Sequence, residues 1–515
     1  MSSSQNFNRF ITISIILFLI TLFTRFYQIN SDSLWLDEGF SVRVASMPFQ
    51  QMMFLNDKHQ PLYIIILHYW IMLFRDSETA ARSLSALFNI LSFLLIIPIG
   101  KILFNKSIAL FSLLIFSLAS FQVYFAQETR SYSLMSFLSL LSIYLFLEII
   151  RNPKKGFQTG YIISIVLLIF THIYGWFVLL LENIWFIYKI KKKQAQITRT
   201  NWLLLQTIIV ILIIPYMLVF IPKVINLMQN YWLKKPTILH LGGALLQFSG
   251  SLSLMILFVM LILYAGIKTF KDKITKYKFK EGALFMILWI SIFLLTTFIL
   301  SQFITPIFLP RYAISASIPF YFLVALAIEG LPKRTLKIVT VVMIICLSIF
   351  NLYIYYSQPT REPWRAAIKD LKNKADIDDI ILIGSDAGEK NLGEIKLNLI
   401  NDNFYIPDVF VYYANGIPQK IMAVDEEFTV NDSLKQNLIK TLSKAPNIWY
   451  VASHAVNYEN QLVSLLKKYF DLRKTYSYPH HDLYGRKVDY LNIYQFSPKS
   501  SLFGLLEINP EPLLF

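Results

Sequence analysis

The loop after the first apolar run carries two adjacent carboxylates, Asp37 and Glu38, within Ser33-Leu-Trp-Leu-Asp-Glu-Gly-Phe-Ser41. Adjacent carboxylates repel, which suits one of them to accept a proton from a substrate. The same pair also fits an ordinary solvated loop. Arginines recur at the ends of apolar runs: Arg25 closes the first, Arg82 opens the next, Arg130 lies in Gln127-Glu-Thr-Arg-Ser-Tyr132, and Arg311 lies in Leu309-Pro-Arg-Tyr312. A guanidinium binds phosphate through a two-pronged fork and keeps its charge. Several at one depth could clamp a lipid phosphate, with Lys58 and His59 joining them and Tyr132 and Tyr312 in support. Snorkelling to lipid headgroups is the competing explanation. His172 interrupts a later apolar stretch, and ionisable groups at membrane depth are functional candidates. Glu182, near the far end of that stretch, is a candidate on the same ground, with simple contact to the interface as the alternative. No P-loop pattern and no Cys or His pair with zinc spacing occurs.

The elements that position these residues follow from composition. Of 515 residues, 55% are hydrophobic and only 16% charged, against roughly 25% charged in soluble domains. That excess of apolar surface must face lipid. The net charge of +16 comes from Lys and Arg clustered between apolar runs, the positive-inside pattern rather than a nucleic-acid stripe. The single cysteine, Cys346, excludes an internal disulfide. The first run, Ile11 to Phe23, has no small-x-small site after it and reads as a retained helix.

Spans of roughly 20 apolar residues fall near Phe10–Ile29, Ala81–Leu103, Ser107–Tyr124, Ser131–Ile150, Trp202–Ile221, Leu241–Ile267, Gly282–Phe303, Ala313–Leu331 and Leu336–Tyr356. The stretch Tyr161–Ile187 is basic at both flanks, so both ends should be cytoplasmic; it goes in and returns, turning near Thr171-His-Ile-Tyr-Gly175. Each limb is short, which implies local thinning or burial among other helices. About eleven spans result. The N-terminus and the linkers Lys101–Lys106, Arg151–Lys155, Lys189–Arg199, Lys268–Lys280 and Lys333–Lys337 fall inside. The loops Asn30–Glu78, Gln127–Arg130, Pro222–Lys235 and Ser301–Arg311, and the C-terminal segment, fall outside. Leu62–Phe74 is too short to span and fits an interfacial helix, with His68, Tyr69 and Trp70 as interfacial groups.

From about Ser357 the composition turns polar. Strands are expected at Asp379–Ile383, Asn447–Val451 and Val488–Phe496, with an amphipathic helix at Asn460–Tyr469. The expected architecture is therefore a polytopic α-helical membrane domain, residues 1–356, with a candidate catalytic first external loop, residues 30–80. A soluble extracytoplasmic α/β domain, residues 357–515, follows. Asp376-Ile-Asp378 matches the Asp-x-Asp of nucleotide-sugar enzymes but falls in that external domain, where cytosolic nucleotide sugars are absent.

Thr24-Arg-Phe-Tyr-Gln through Leu34-Trp-Leu-Asp-Glu38 resembles the first-loop motif of the family 39 glycosyltransferases of the GT-C class. These include protein O-mannosyltransferases and the bacterial aminoarabinose transferase of lipid A. The resemblance continues in His59-Gln-Pro-Leu-Tyr63, Ala81-Arg-Ser-Leu-Ser-Ala86, Thr129-Arg-Ser-Tyr132, Pro310-Arg-Tyr312 and Glu362-Pro-Trp-Arg365, so it covers most of the chain. No single motif is specific; their order and their common side of the membrane are. The resemblance implies an inverting transfer of a sugar from a polyprenyl-phosphate donor to a lipid, glycan or protein acceptor outside the membrane, with no cofactor or metal required. By matching position Asp37 would be the base, and Glu38 would orient the acceptor or a neighbouring donor group. His59, Arg82, Arg130 and Arg311 would hold the phosphate. This chain has Gln60-Pro61 where the bacterial motif has two prolines, and histidine at 59 where the aminoarabinose transferase has lysine, so charge there depends on pH. Competing readings are a transporter or flippase of a lipid-linked sugar, which would place its polar groups near the midplane, a non-catalytic scaffold, and an O-antigen-type polymerase or ligase.

Overall fold

A computed structural model describes residues 3–55, 60–229, 234–271, 277–385, 408–425, 432–453, 459–482 and 486–499. Lys58 and His59 lie outside the described residues. Helix α1 (Ser3–Phe26) leads to three shorter helices, α2 (Leu36–Ala45), α3 (Phe49–Leu55) and α4 (Leu62–Phe74). Then come α5 (Glu78–Leu103), α6 (Lys106–Leu118), α7 (Ser120–Ala126), α8 (Tyr132–Arg151), α9 (Lys155–Ile169) and α10 (Gly175–Lys191). The bundle continues with α11 (Arg199–Gln229), α12 (Ile238–Ser249), α13 (Leu252–Lys271) and α14 (Tyr277–Ser291). A π-helical stretch, Ile292–Thr296, joins α14 to α15 (Thr297–Phe303), and α16 (Ile314–Glu329) and α17 (Arg334–Ser357) complete the series. The chain divides into two packed units, Met1–Ile29 with Val44–Ser357, and Asn30–Arg43 with Gln358–Phe515.

The helical unit is built for lipid. Leu203, Val210, Ile211, Leu218 and Val219 on α11 are all exposed, and a helix with that much bare apolar surface is stable only against hydrocarbon. Helix α16 is the opposite case: every residue from Ile314 to Ala325 is buried inside the bundle. Among the described residues seven helices are long and apolar enough to cross a bilayer, or nine if each of two sharply bent pairs counts as one span. The remaining two of the expected eleven are α9 and α10, of 15 and 17 residues. At 1.5 Å per residue they reach about 23 and 26 Å, short of a hydrocarbon core of about 30 Å. The turn between them occupies residues 170–174.

The two bends depart from the straight runs expected at Ser107–Tyr124 and Leu241–Ile267. Helices α6 and α7 meet at 61°. Ala119 is extended there, and the guanidinium of Arg25 takes up the freed carbonyls of Phe116 and Ser117. Helices α12 and α13 meet at 100°. Gly250 between them has φ +83°, and a Cβ there would lie 2.5 Å from Ser120 Oγ. Only glycine meets both demands.

The C-terminal unit adds α18 (Trp364–Lys374), β1 (Ile380–Ser385), α19 (Asp408–Ala414), β2 (Lys420–Asp425), α20 (Asp432–Leu442), β3 (Ile448–Ser453), α21 (Glu459–Tyr469), β4 (Phe470–His481) and β5 (Lys487–Pro498). The sheet order is β2-β1-β3-β5-β4. Strands β2, β1 and β3 are parallel, and β5 and β4 continue the sheet antiparallel. Every residue of β3 is buried, as a central strand covered on both faces requires. Leu438, Leu442, Leu462 and Leu466 from α20 and α21 pack with Leu382 and Tyr450 in one core cluster. Asp379, beside the Asp376-Ile-Asp378 run, is buried; it accepts from Trp449 Nε1 at 2.8 Å and from both nitrogens of Asn447 at 3.0 Å. That carboxylate ties β1 to β3.

Candidate functional site

In the helical unit three of the sequence motifs are hydrogen-bonded to one another. Ser85 on α5 donates to the carbonyl of Arg130 at 3.2 Å and lies 2.9 Å from the Tyr63 hydroxyl on α4. Ser85 has one hydroxyl hydrogen, already committed to Arg130, so Tyr63 is the donor in that pair. Arg82 precedes Ser85 by three residues and shares its helix face. It is fully buried and donates to the Ile29 carbonyl at 2.9 Å.

A second group forms around the turn between α9 and α10. His172 is buried there, its ring centroid 5.0 Å from that of Tyr312 and 6.3 Å from that of Tyr132. The Tyr174 backbone N–H donates to His172 Nδ1 at 3.2 Å, which leaves the neutral ring's proton on Nε2. Tyr132 and Tyr312 are 6.1 Å apart, and the Arg311 guanidinium sits 5.5 Å over the Tyr312 ring. The approach to Arg311 is fixed from behind: Ser301 Oγ accepts from the backbone N–H groups of Ile307 and Phe308, and Tyr174 donates to the Ile307 carbonyl. Arg311, Tyr132, Tyr312 and His172 are thus brought together; Arg130 stands two residues before Tyr132, and both arginines are half-buried. Two cations beside aromatic hydroxyls, without full burial, make a surface suited to an oxyanion.

Arg25 is committed elsewhere. Its guanidinium is fully buried and donates to Asn89 Oδ1, Thr24 Oγ1 and the carbonyls of Ser117 and Phe116, while stacking over the Phe116 ring. Asn89 passes the chain on to Gln122 at 2.9 Å, and Gln122 to Ser317 at 2.7 Å. This network joins α1, α5, α6, α7 and α16. Glu182 does not reach an interface: it is fully buried and accepts from Ser142 Oγ at 2.7 Å and from Tyr161 Oη at 3.0 Å.

The carboxylate pair is built within the C-terminal unit. Asp37 and Glu38 lie in the first turn of α2, where carboxylates face the positive end of the helix dipole. They differ in environment: Asp37 is half-buried, whereas Glu38 is sealed from solvent. The buried Arg361 places Nε 3.5 Å from Glu38 Oε2 and Nη1 3.9 Å from Asp32 Oδ2. Glu38 thus meets a cation of this chain. Four further links fix the segment. Ser33 Oγ donates to the Glu362 carbonyl at 2.7 Å, and the Leu34 N–H donates to Tyr413 Oη at 2.7 Å. Thr360 donates to Asp32 through its N–H and hydroxyl, and Arg43 pairs with Asp408 on α19. Gly39 lies so close to α19 that a Cβ would sit 2.6 Å from the Val409 backbone. Reading the sequence singled out neither Arg361, Tyr174 nor Ser85 as a functional residue. Arg361 immediately precedes the Glu362-Pro-Trp-Arg365 motif, and that adjacency is the one signal the sequence holds.

These features define an integral membrane protein with the fold of the GT-C glycosyltransferases: a polytopic helical domain carrying a C-terminal α/β domain. The comparisons with known structures rest on fold. The crystal structure of ArnT from Cupriavidus metallidurans bound to undecaprenyl phosphate aligns with 99% of this chain and 100% of its own, at 10% identity and TM-score 0.54. The oligosaccharyltransferase of Archaeoglobus fulgidus, tethered with an acceptor peptide containing the NVT sequon, aligns over 93% of this chain and 74% of its own, at 11% identity and TM-score 0.52. The same archaeal enzyme in complex with zinc and sulfate gives 10% identity, 93% and 73% coverage and TM-score 0.53. No protein-family model matches the chain, and no curated protein matches its sequence.

Proposed function

We propose that this protein is an inverting glycosyltransferase that moves a sugar from a polyprenyl-phosphate donor to a lipid, glycan or protein acceptor on the extracytoplasmic face. The observation that carries the reading is the gathering of Arg311, Tyr132, Tyr312 and His172, with Arg130 two residues before Tyr132 in the chain. The two arginines offer an anionic leaving group permanent charge, and Tyr132 and Tyr312 offer two hydroxyls. The fold shared with a structure that holds undecaprenyl phosphate supports the same donor class.

In this mechanism an acceptor hydroxyl attacks the anomeric carbon from the face opposite the phosphate. Asp37 takes the hydroxyl proton as the C–O bond forms. The bond from the anomeric carbon to the phosphate oxygen breaks, and polyprenyl phosphate leaves with the electron pair. Phosphate is a weak base, so its departure needs charge stabilisation rather than a strong general acid. Arg130 and Arg311 supply that charge, with Arg82 and His59 assigned to the same role by the resemblance and Lys58 in support. Asp37 suits the base because it keeps partial access to solvent while Glu38 does not. The mechanism as written requires no metal or cofactor. Activity unchanged by chelators is the test of that point.

The primary experiment places the purified full-length protein in nanodiscs with a panel of radiolabelled polyprenyl-phosphate sugars and follows release of free polyprenyl phosphate. Wild type releases it, and Asp37→Asn lowers the rate by roughly 10²–10⁴-fold, the contribution of a positioned base, while still binding donor. Donor binding without release for every donor and acceptor tried would shift the reading to a transporter or a non-catalytic scaffold.

A further inference from the structure

We propose that the C-terminal domain is the scaffold that orients the catalytic carboxylate, with Arg361 as the positioning residue acting on Asp37 through Glu38. The inference rests on the reading of Asp37 as base.

Helix α2 has ten residues, and helices shorter than about 12–15 residues are marginal unless packing holds them. The packing comes from the C-terminal unit, to which Asn30–Arg43 belongs by its contacts. Arg361 is the centre of that attachment. Its side chain is 2% exposed and bridges Glu38, on the first turn of α2, and Asp32, in the segment leading into it. Thr360 binds the same Asp32 carboxylate through two hydrogen bonds, so both sides of the turn are anchored to consecutive residues of one strap. Successive helical side chains point about 100° apart, so fixing the direction of Glu38 also fixes that of Asp37. A buried cation beside a sealed carboxylate is costly to remove: without Arg361 the desolvated Glu38 loses that cation while the half-buried Asp32 charge stays six residues away in the chain. The segment lowers that cost by moving, and α2 moves with it.

The test uses the full-length protein in nanodiscs with the polyprenyl-phosphate sugar that wild type turns over. Turnover, donor affinity and hydrogen exchange are measured for Arg361→Gln, Arg361→Lys, Glu38→Gln, the double variant Glu38→Gln/Arg361→Gln, and Lys440→Ala as an exposed control. Arg361→Gln is expected to lose roughly 10²-fold in kcat, the effect of misplacing a reacting group by about 1 Å, with donor affinity unchanged. Amides of α2 should exchange at least roughly tenfold faster while those of β1 and β3 keep their protection. Arg361→Lys should recover part of kcat, and the double variant should lose no more than the worse single one. Wild-type turnover and protected α2 amides in Arg361→Gln would overturn the proposal. So would loss of protection across β1 and β3, which would mark Arg361 as a stabiliser of the whole domain. Full activity of Asp37→Asn refutes the base assignment instead, and exchange at α2 in Arg361→Gln then judges the scaffold by itself: unchanged protection overturns it.

Discussion

Gly39→Ala separates two opposed physical effects. Gly39 lies inside α2, where alanine favours the helix by about 0.8–1 kcal/mol. Propensity alone therefore forecasts a more stable protein. The structure forecasts the reverse. The new Cβ would lie 2.6 Å from both the Val409 Cα and N, and 2.7 Å from its Cβ. Two of those atoms are backbone, so no rotamer change relieves the contact. Ordinary contact begins near 3.4 Å, so α2 and α19 must separate by about 0.8 Å, at an overpacking cost of about 1–3 kcal/mol. The net change is a small destabilisation of about 0–2 kcal/mol. The functional effect is larger, because displacement of a reacting group by about 1 Å costs roughly 10²-fold in rate. The assay is release of polyprenyl phosphate at saturating donor, with a thermal melt and a donor-binding isotherm on the same preparation. A fall in kcat of one to two orders, with unchanged donor affinity and a melt shifted by a few degrees, is expected. A raised melting temperature together with wild-type turnover would refute the argument, since it would mean that α2 has room beside α19 or that its placement does not matter to the reaction.

The arginines should divide by phenotype. Arg311→Ala and Arg130→Ala remove charged hydrogen-bond donors of about 1.5–3 kcal/mol each, so donor Kd should rise by roughly 10- to 150-fold with little change in melting temperature; unchanged affinity in both would end the phosphate-cluster assignment. Arg25→Met should show the opposite, a marked loss of stability from the orphaned carbonyls of Phe116 and Ser117, with donor affinity retained in whatever fraction folds. Glu182→Leu leaves the hydroxyls of Ser142 and Tyr161 buried without their acceptor, at about 1–3 kcal/mol for each, whereas Glu182→Gln keeps one acceptor oxygen and should be nearly silent. A Glu182→Gln protein of normal stability that had lost turnover would show that this carboxyl takes part in the reaction.

What the sequence determined by itself is what hydropathy and short motifs encode locally. The apolar runs place the membrane helices because twenty residues without water-seeking side chains have few other solutions. The turn at Thr171–Gly175 was legible from the basic residues flanking both limbs, since charge placement is also a local signal. The polar change near Ser357 announced an α/β domain, and β1, β3, β5 and α21 follow their local patterns closely. Strands β2 and β4 went unread: β2 carries one short apolar run, and β4 alternates weakly, with charged and aromatic side chains mixed along a sheet edge.

Other features were settled by tertiary structure alone. At the Gly250 bend Ser120, far away in the chain, comes within 2.5 Å of where a Cβ would stand. Arg25 resembled its fellow arginines in sequence, yet the helix break at Ala119 presents it with carbonyls and draws its donors away. Glu182 looked close to an interface until Ser142 and Tyr161 supplied hydrogen bonds inside the bundle. Above all, Asn30–Arg43 stands near the start of the chain yet packs in one unit with residues from Gln358 on, and the hydrogen-bonded Ser33 and Glu362 are 329 residues apart. Hydropathy and motif order carry no information about such pairings, because a hydrogen bond between distant residues depends on how the whole chain packs and not on the residues beside either partner.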